Sequence, residues 1–245
     1  MAKKQNPKHY LIPILTVIFM VASSAISGAE EVAGEAQAPR RQYISQNVLA
    51  DGTPFAITIV ASASDESRAQ DVINAAFSRV LRLDHELFGE NGIQSQINEL
   101  EKGQPLILTQ DAFDLIAKSI KLAAWTDGWF DVTSASARGL FVKRDWRRIS
   151  LNPPDRTVKF KSDQMQLDLH RIARGYFVDL AMDVIGRTGF ANAMVQVGNI
   201  QRNTGHDIYT PWNIKLGFGN DATPLAYRAQ SLGLTNIAVT GIDGQ

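Results

Sequence analysis

Residues 55–88 read FAITIVASASDESRAQDVINAAFSRVLRLDHELF, and the apolar period of this stretch changes part of the way along. Phe55–Ala61 is dense in β-branched side chains and reads as a strand. Asp65–Phe88 then reads as a helix: Ser64 can cap it, and Asp65 and Glu66 suit the positive end of the helix dipole. Ala69, Val72, Ile73, Ala76, Phe77 and Val80 recur at steps of three and four, which gathers them on one apolar face. A strand feeding an amphipathic helix needs further strands beside it and further apolar helix faces to cover the sheet.

Those partners lie further along the chain. Thr109 can cap a helix over Gln110–Trp125 whose face is Phe113, Ile116, Ile120 and Ala123 or Ala124. Leu167–Leu169 reads as a short strand, Ala173–Arg187 as a helix closed by Gly189, and Ala193–Val197 and Trp212–Phe218 as further strands. Strands and helices are mixed without strict βαβ alternation, which favours an α+β fold over a doubly wound parallel one. No internal repeat and no long linker divides residues 43–245, so one domain is expected. Ahead of it, Glu30–Gln42 carries few apolar side chains and reads as a flexible leader.

Residues 1–29 form an export signal in this reading. Lys3, Lys4 and Lys8 precede the apolar run Leu11–Ala22, and Ser27-Gly28-Ala29 has the small-x-small pattern of a cleavage site. Its removal takes away three lysines and no acid, leaving a slightly acidic exported protein, expected in the periplasm, that touches a membrane only through an uncleaved signal. The whole chain has 245 residues, with 25 Lys and Arg balancing 25 Asp and Glu. That balance gives nucleic acid no electrostatic foothold. The absence of Cys excludes disulfides, thiolate metal sites and cysteine nucleophiles.

Generic catalytic motifs are missing: there is no HExxH, no GxxxxGK[ST] and no GxSxG. Gly217–Ala222 matches GxGxx[GA] in form only, because Thr223-Pro224 follows where a helix should start. Two segments carry more. In Thr126–Thr133 (TDGWFDVT), Asp127-Gly128 is a turn signal after a helix, and Trp129 and Phe130 can stack on a flat ring or else enter the core. In Leu167–Asp179 (LDLHRIARGYFVD) a carboxylate stands where a helix begins. Asp168 can accept from ring N–H groups or cap the helix, and Arg171 and Arg174 can serve an anion at the helix N-terminus or sit on the surface.

Taken in order, these segments resemble the ApbE-type FAD:protein FMN transferases. Asp51-Gly52-Thr53, Ser95–Asn98, TDGWFDVT and LDLHRIARGYFVD are followed by Val197–Ile200, Pro211–Ile214 and Ala238–Gly241, spanning about residues 51–241. The resemblance implies a single ApbE-like (T-fold-like) domain with a mixed, largely antiparallel sheet. It also implies Mg²⁺-dependent transfer of FMN from FAD to a Ser or Thr hydroxyl of an acceptor protein. Family flavin contacts fall on Asp51, Phe88, Trp129, Phe130, Asp131, Asp168, Arg174 and Thr240, and a metal contact falls on the main-chain oxygen of Arg171. No catalytic residue is assigned. Asp51 replaces Met, Phe88 replaces Tyr, Asn199-Ile200 replaces Gly-Asp, and His170-Arg171 brings bulk where the family keeps close backbone access. The family's later H-x-x-D-P-x-T-G and D-A-x-x-T segments have no counterpart before Gln245, so the C-terminal part is expected to be missing. A non-catalytic flavin-binding accessory protein of the same fold is the alternative.

Overall fold

β2 (Pro54–Ser62) is buried on both faces, and its sequence explains how. Phe55, Ile57 and Ile59 lie on one face of the pleat with no exposed area, while Thr58 and Val60 are buried on the other. A strand covered on both sides carries large β-branched residues at consecutive positions rather than in clean alternation. The computed structural model describes residues 39–133, 145–163, 165–210, 212, 214–216, 225–227 and 236–239. The signal reading at 1–29 and Thr240 lie outside the described residues.

β1 (Arg40–Val48) returns against β2 as an antiparallel hairpin, in register from Arg40 opposite Ser62 to Val48 opposite Pro54. The leader expected over 30–42 is therefore too long: Arg40, Arg41 and Gln42 are already strand. β1 is the edge of the sheet, where charged residues are tolerated because one side needs no partner. That tolerance is what made the segment look unstructured.

With β6 (Ala193–Val197), β7 (Ile200–Thr204) and β10 (Asn236–Val239), the five-stranded sheet runs β1-β2-β6-β7-β10, every neighbouring pair antiparallel. Register sets Phe55, Ile57 and Ile59 opposite Val197, Val195 and Ala193, all fully buried. α1 (Glu66–Phe88) and α4 (His170–Arg187) cover this face. α1 contributes Ala69, Val72, Ile73, Ala76, Phe77 and Val80, the face read from its periodicity. Phe77 meets Phe55 edge-to-face, with ring centroids 4.6 Å apart. Each such large side chain adds about 1.5–3 kcal/mol by leaving water.

α1 begins one residue later than expected. A 3₁₀ turn over Ala63–Asp65 comes first, in which Ser62 Oγ accepts the Ser64 N–H, so Asp65 rather than Ser64 precedes the helix. α2 (Ile93–Asn98) and α3 (Gln110–Trp125) follow, and Thr109 Oγ1 caps α3 by accepting the Ala112 N–H at 3.4 Å. β3 (Leu106–Ile107), β4 (Ile149–Asn152) and β5 (Thr157–Phe160) make a small antiparallel sheet in the order β3-β5-β4. β8 (Ile214–Leu216) pairs with β9 (Leu225–Tyr227), within the strand expected from Trp212 onward. The result is an α+β domain, as the mixture of periods suggested. Among the described residues no helix is long and apolar enough to cross a membrane.

Candidate functional site

Three parts of the fold converge on the chain around Asp168: the β1–β2 turn, the C-terminal end of α1 and the N-terminal end of α4. Leu167–Leu169 is not the strand its alternation suggested. Leu167 and Leu169 are fully buried, but among the described residues no strand pairs with them. Their backbone is instead held by two amide side chains of α2. Asn98 Oδ1 accepts the Leu167 N–H at 2.7 Å, and Asn98 Nδ2 donates back to the Leu167 carbonyl at 3.1 Å. Gln94 Oε1 accepts the Leu169 N–H at 2.9 Å, and Gln94 Nε2 also donates to the Leu167 carbonyl. Gln94 and Asn98 are four apart, so one face of α2 presents both. Buried backbone groups must find partners, and here side chains replace a neighbouring strand.

Between the two leucines, the Asp168 N–H donates to the Val132 carbonyl at 2.8 Å, which ties the 126–133 segment to the start of α4. Asp168 Oδ1 accepts the His170 N–H at 3.2 Å, and His170 Nδ1 lies 3.5 Å from the same oxygen. α4 thus begins at His170, three residues before the expected Ala173, with Leu169 at the cap position. Asp168 stands one residue before that cap position and accepts the first N–H of the helix through one oxygen, while its side chain stays 29% exposed and within reach of a ligand.

At the β1–β2 turn, Asp51 Oδ1 accepts the Thr53 N–H at 2.9 Å, and Arg174 donates to Oδ2 at 3.0 Å. Desolvation raises the Asp51 pKa, but the Thr53 hydroxyl, the Thr53 N–H and the Arg174 guanidinium outweigh it and hold it at about 2. Beneath it, Asp84 of α1 is buried and accepts the Ala50 N–H at 2.6 Å. Burial pushes the Asp84 carboxyl up and the Asp51 charge adds to that, against the Ala50 N–H and the two nearby histidines, His170 and His85. The β6–β7 turn closes the corner. Gly198 has φ +58°, and a Cβ there would stand 3.1 Å from Thr53 Cγ2.

The aromatic residues divide. Phe88 is half-buried against the core, and the His170 imidazole stacks on it with centroids 3.9 Å apart and 22° between planes. Phe130 packs partly into the core, whereas Trp129 is 94% exposed, so the core reading is right for one and wrong for the other. Asp127 at φ +49° and Gly128 at φ +82° make the turn that turns Trp129 outward. Asp131 points back into its own loop, accepting from the Thr133 N–H at 2.8 Å and the Thr133 hydroxyl at 2.7 Å.

Asp51 and Arg174 therefore form one pair, Phe88 and Asp168 meet through His170, and Val132 connects the loop of Trp129, Phe130 and Asp131 to Asp168. Gln94, Asp84 and His170 complete the frame. Asn98 belongs to the Ser95–Asn98 segment of the sequence, but nothing in the sequence points to its partner 69 residues away. The i,i+4 amide pair was the one available signal. Arg171 is exposed as the second residue of α4, where a helix carbonyl normally faces the N–H four residues on. Mg²⁺ prefers six oxygen ligands, and among the described residues no three His, Cys, Asp or Glu side chains gather to supply them. The described donors do not complete a magnesium shell.

A model of the ApbE family matches residues 52–241. The flavinyl transferase ApbE of Pseudomonas stutzeri, in its apo form, is 20% identical with a TM-score of 0.63, the match covering 73% of this chain and 61% of that one. The apbe protein of Thermotoga maritima is 19% identical, TM-score 0.59, with 76% of this chain and 68% of that one covered. The flavin transferase ApbE of Vibrio cholerae is 20% identical, TM-score 0.59, with 73% and 64% covered. The matched region thus spans about three fifths to two thirds of those solved chains. No curated protein is similar enough to count as a match.

Proposed function

The chain belongs to the ApbE family, and on that premise we propose that it is a FAD:protein FMN transferase acting on a Ser or Thr hydroxyl of an exported or membrane acceptor protein. The observation that carries this reading is the 2.8 Å bond from the Asp168 N–H to the Val132 carbonyl. It brings an accessible carboxylate, a helix start and the Trp129 loop, the parts a flavin dinucleotide needs, to one place.

Each residue has a task in this reading. Asp168 accepts from a ring N–H of the isoalloxazine, since an ionised carboxylate can only accept. Arg174 supplies guanidinium donors toward the pyrophosphate. Asp51 holds Arg174 until a phosphate competes for it. Gln94 and Asn98 fix the backbone on both sides of Asp168, which keeps the carboxylate aimed without ordering cost during binding. In the reaction the acceptor oxygen bonds to the FMN phosphorus, the bond from that phosphorus to the bridging oxygen breaks, and AMP leaves with that oxygen. The hydroxyl proton passes to solvent or to the phosphate. When bound, Mg²⁺ would neutralise phosphate charge, and none of the roles above depends on it.

The test is release of AMP from FAD in the presence of Mg²⁺ and a candidate acceptor. AMP should appear in equal amount to flavin fixed on the acceptor. FAD binding with no AMP above a no-enzyme control would favour a flavin-binding accessory role instead. Export rests on the basic start, apolar run and small-residue end of residues 1–29. N-terminal sequencing of the protein recovered from the periplasm should begin at Glu30.

A further inference from the structure

Phe88 is one of the positions where the family resemblance places a flavin contact, but the imidazole of His170 covers it. The two rings are stacked at 3.9 Å and 22°, and Phe88 is itself packed against the core. The His170 side chain lies outermost, 54% exposed. Its ring is held between the Phe88 face and Asp168, whose Oδ1 stands 3.5 Å from Nδ1 and also accepts the His170 main-chain N–H at 3.2 Å. A flat ligand ring entering beside Asp168 therefore meets an imidazole before it can reach Phe88.

We propose that His170 is the aromatic platform of this site, receiving the flat ring of the ligand on its outer face, and that Phe88 is a positioning residue which acts through it. This rests on the flavin reading above and deepens it. Core, Phe88, imidazole and ligand ring form a stack in which the imidazole alone touches the ligand. Asp168 then has a second task. The oxygen that orients His170 belongs to the carboxylate offered to the ring edge, so one residue aligns both the platform and the ligand. Platform and edge contact together select a planar heteroaromatic ring that carries an N–H donor on one side.

The experiment is a fluorescence titration of FAD with the full chain and three variants, each checked for an unchanged melting temperature. Stacking quenches isoalloxazine emission, and stacking contacts removed by alanine substitution weaken ring binding by roughly tenfold. H170A should weaken binding about tenfold, H170F should restore it with strong quenching, and F88L should cost less than H170A. If H170A binds as tightly as the unaltered chain or more tightly, His170 is a cover and the proposal fails. It fails equally if H170F does not restore binding, or if F88L costs more than H170A. Absence of any quenching or binding by the unaltered chain at millimolar FAD removes the flavin reading itself, and this inference with it.

Discussion

Between β2 and α1, Phe55, Ile57, Ile59 and Phe77 are held by burial and by ring contact, with no polar group to satisfy. Around Leu167–His170 the balance is reversed: side-chain amides and a carboxylate bond directly to main-chain groups. Apolar contacts are non-directional and survive small shifts, while hydrogen bonds lose strength steeply with angle. The first region should govern whether the chain folds. The second should govern where a carboxylate points once it has folded.

Substitutions can break that division or sharpen it. Ile57→Ala leaves a cavity under both helices and should cost about 2–5 kcal/mol in urea denaturation. Its FAD affinity per folded molecule should not change, and a large loss there would merge the two regions. Asn98→Ala leaves a buried Leu167 N–H without a partner and should cost about 1–3 kcal/mol. Unlike Ile57→Ala, it should also weaken FAD binding more than tenfold, because the chain beside Asp168 loses its hold. Asp168→Asn keeps the shape and one acceptor oxygen. Its stability should stay within about 1 kcal/mol of the parent, and its FAD affinity should still fall about tenfold.

The effect of Asp51→Asn is smaller and confined to acid. The Asp51 carboxyl sits at about 2 in the folded chain against an ordinary 3.8, so the folded state binds fewer protons. Its contribution to stability is full above about pH 4 and is lost as pH falls toward 2. Asp51→Asn should flatten that limb of a denaturation-against-pH curve. At neutral pH, with both partners more than a third exposed, the change should stay under about 1 kcal/mol. Trp129→Ala should have the least effect on stability, within about 0.5 kcal/mol by thermal melting, since the side chain is 94% exposed.

Much of the apolar region was legible in the sequence, because periodicity reports which face is buried. The face of α1 follows from spacing, and the strand at Phe55–Ala61 follows from its β-branched content. At Leu167–Leu169 the same rule failed: two buried leucines around an accessible Asp alternate as a strand does, and periodicity is blind to who donates the hydrogen bonds. β1 was cut short for a related reason, since an edge strand can carry Arg40 and Arg41 without penalty. The candidate site was legible as segments, through order and residue type. Its assembly was not, because Arg174 and Asp51 stand 123 residues apart and Gln94 reaches across 75. The His170–Phe88 stack was hidden for the same reason, although the bulk of His170 had been noted as unusual.

Gly198 gives the corner its tolerance. With φ +58° and only 3.1 Å between an added methyl and Thr53 Cγ2, its bare α-carbon is the clearance between two hairpin tips. Because Thr53 donates to Asp51, and Asp51 accepts from Arg174, any bulk inserted at that gap would be passed along as a push on α4. The tips of the sheet and the helix are geared together there, so a change far from the start of α4 in sequence can still move it.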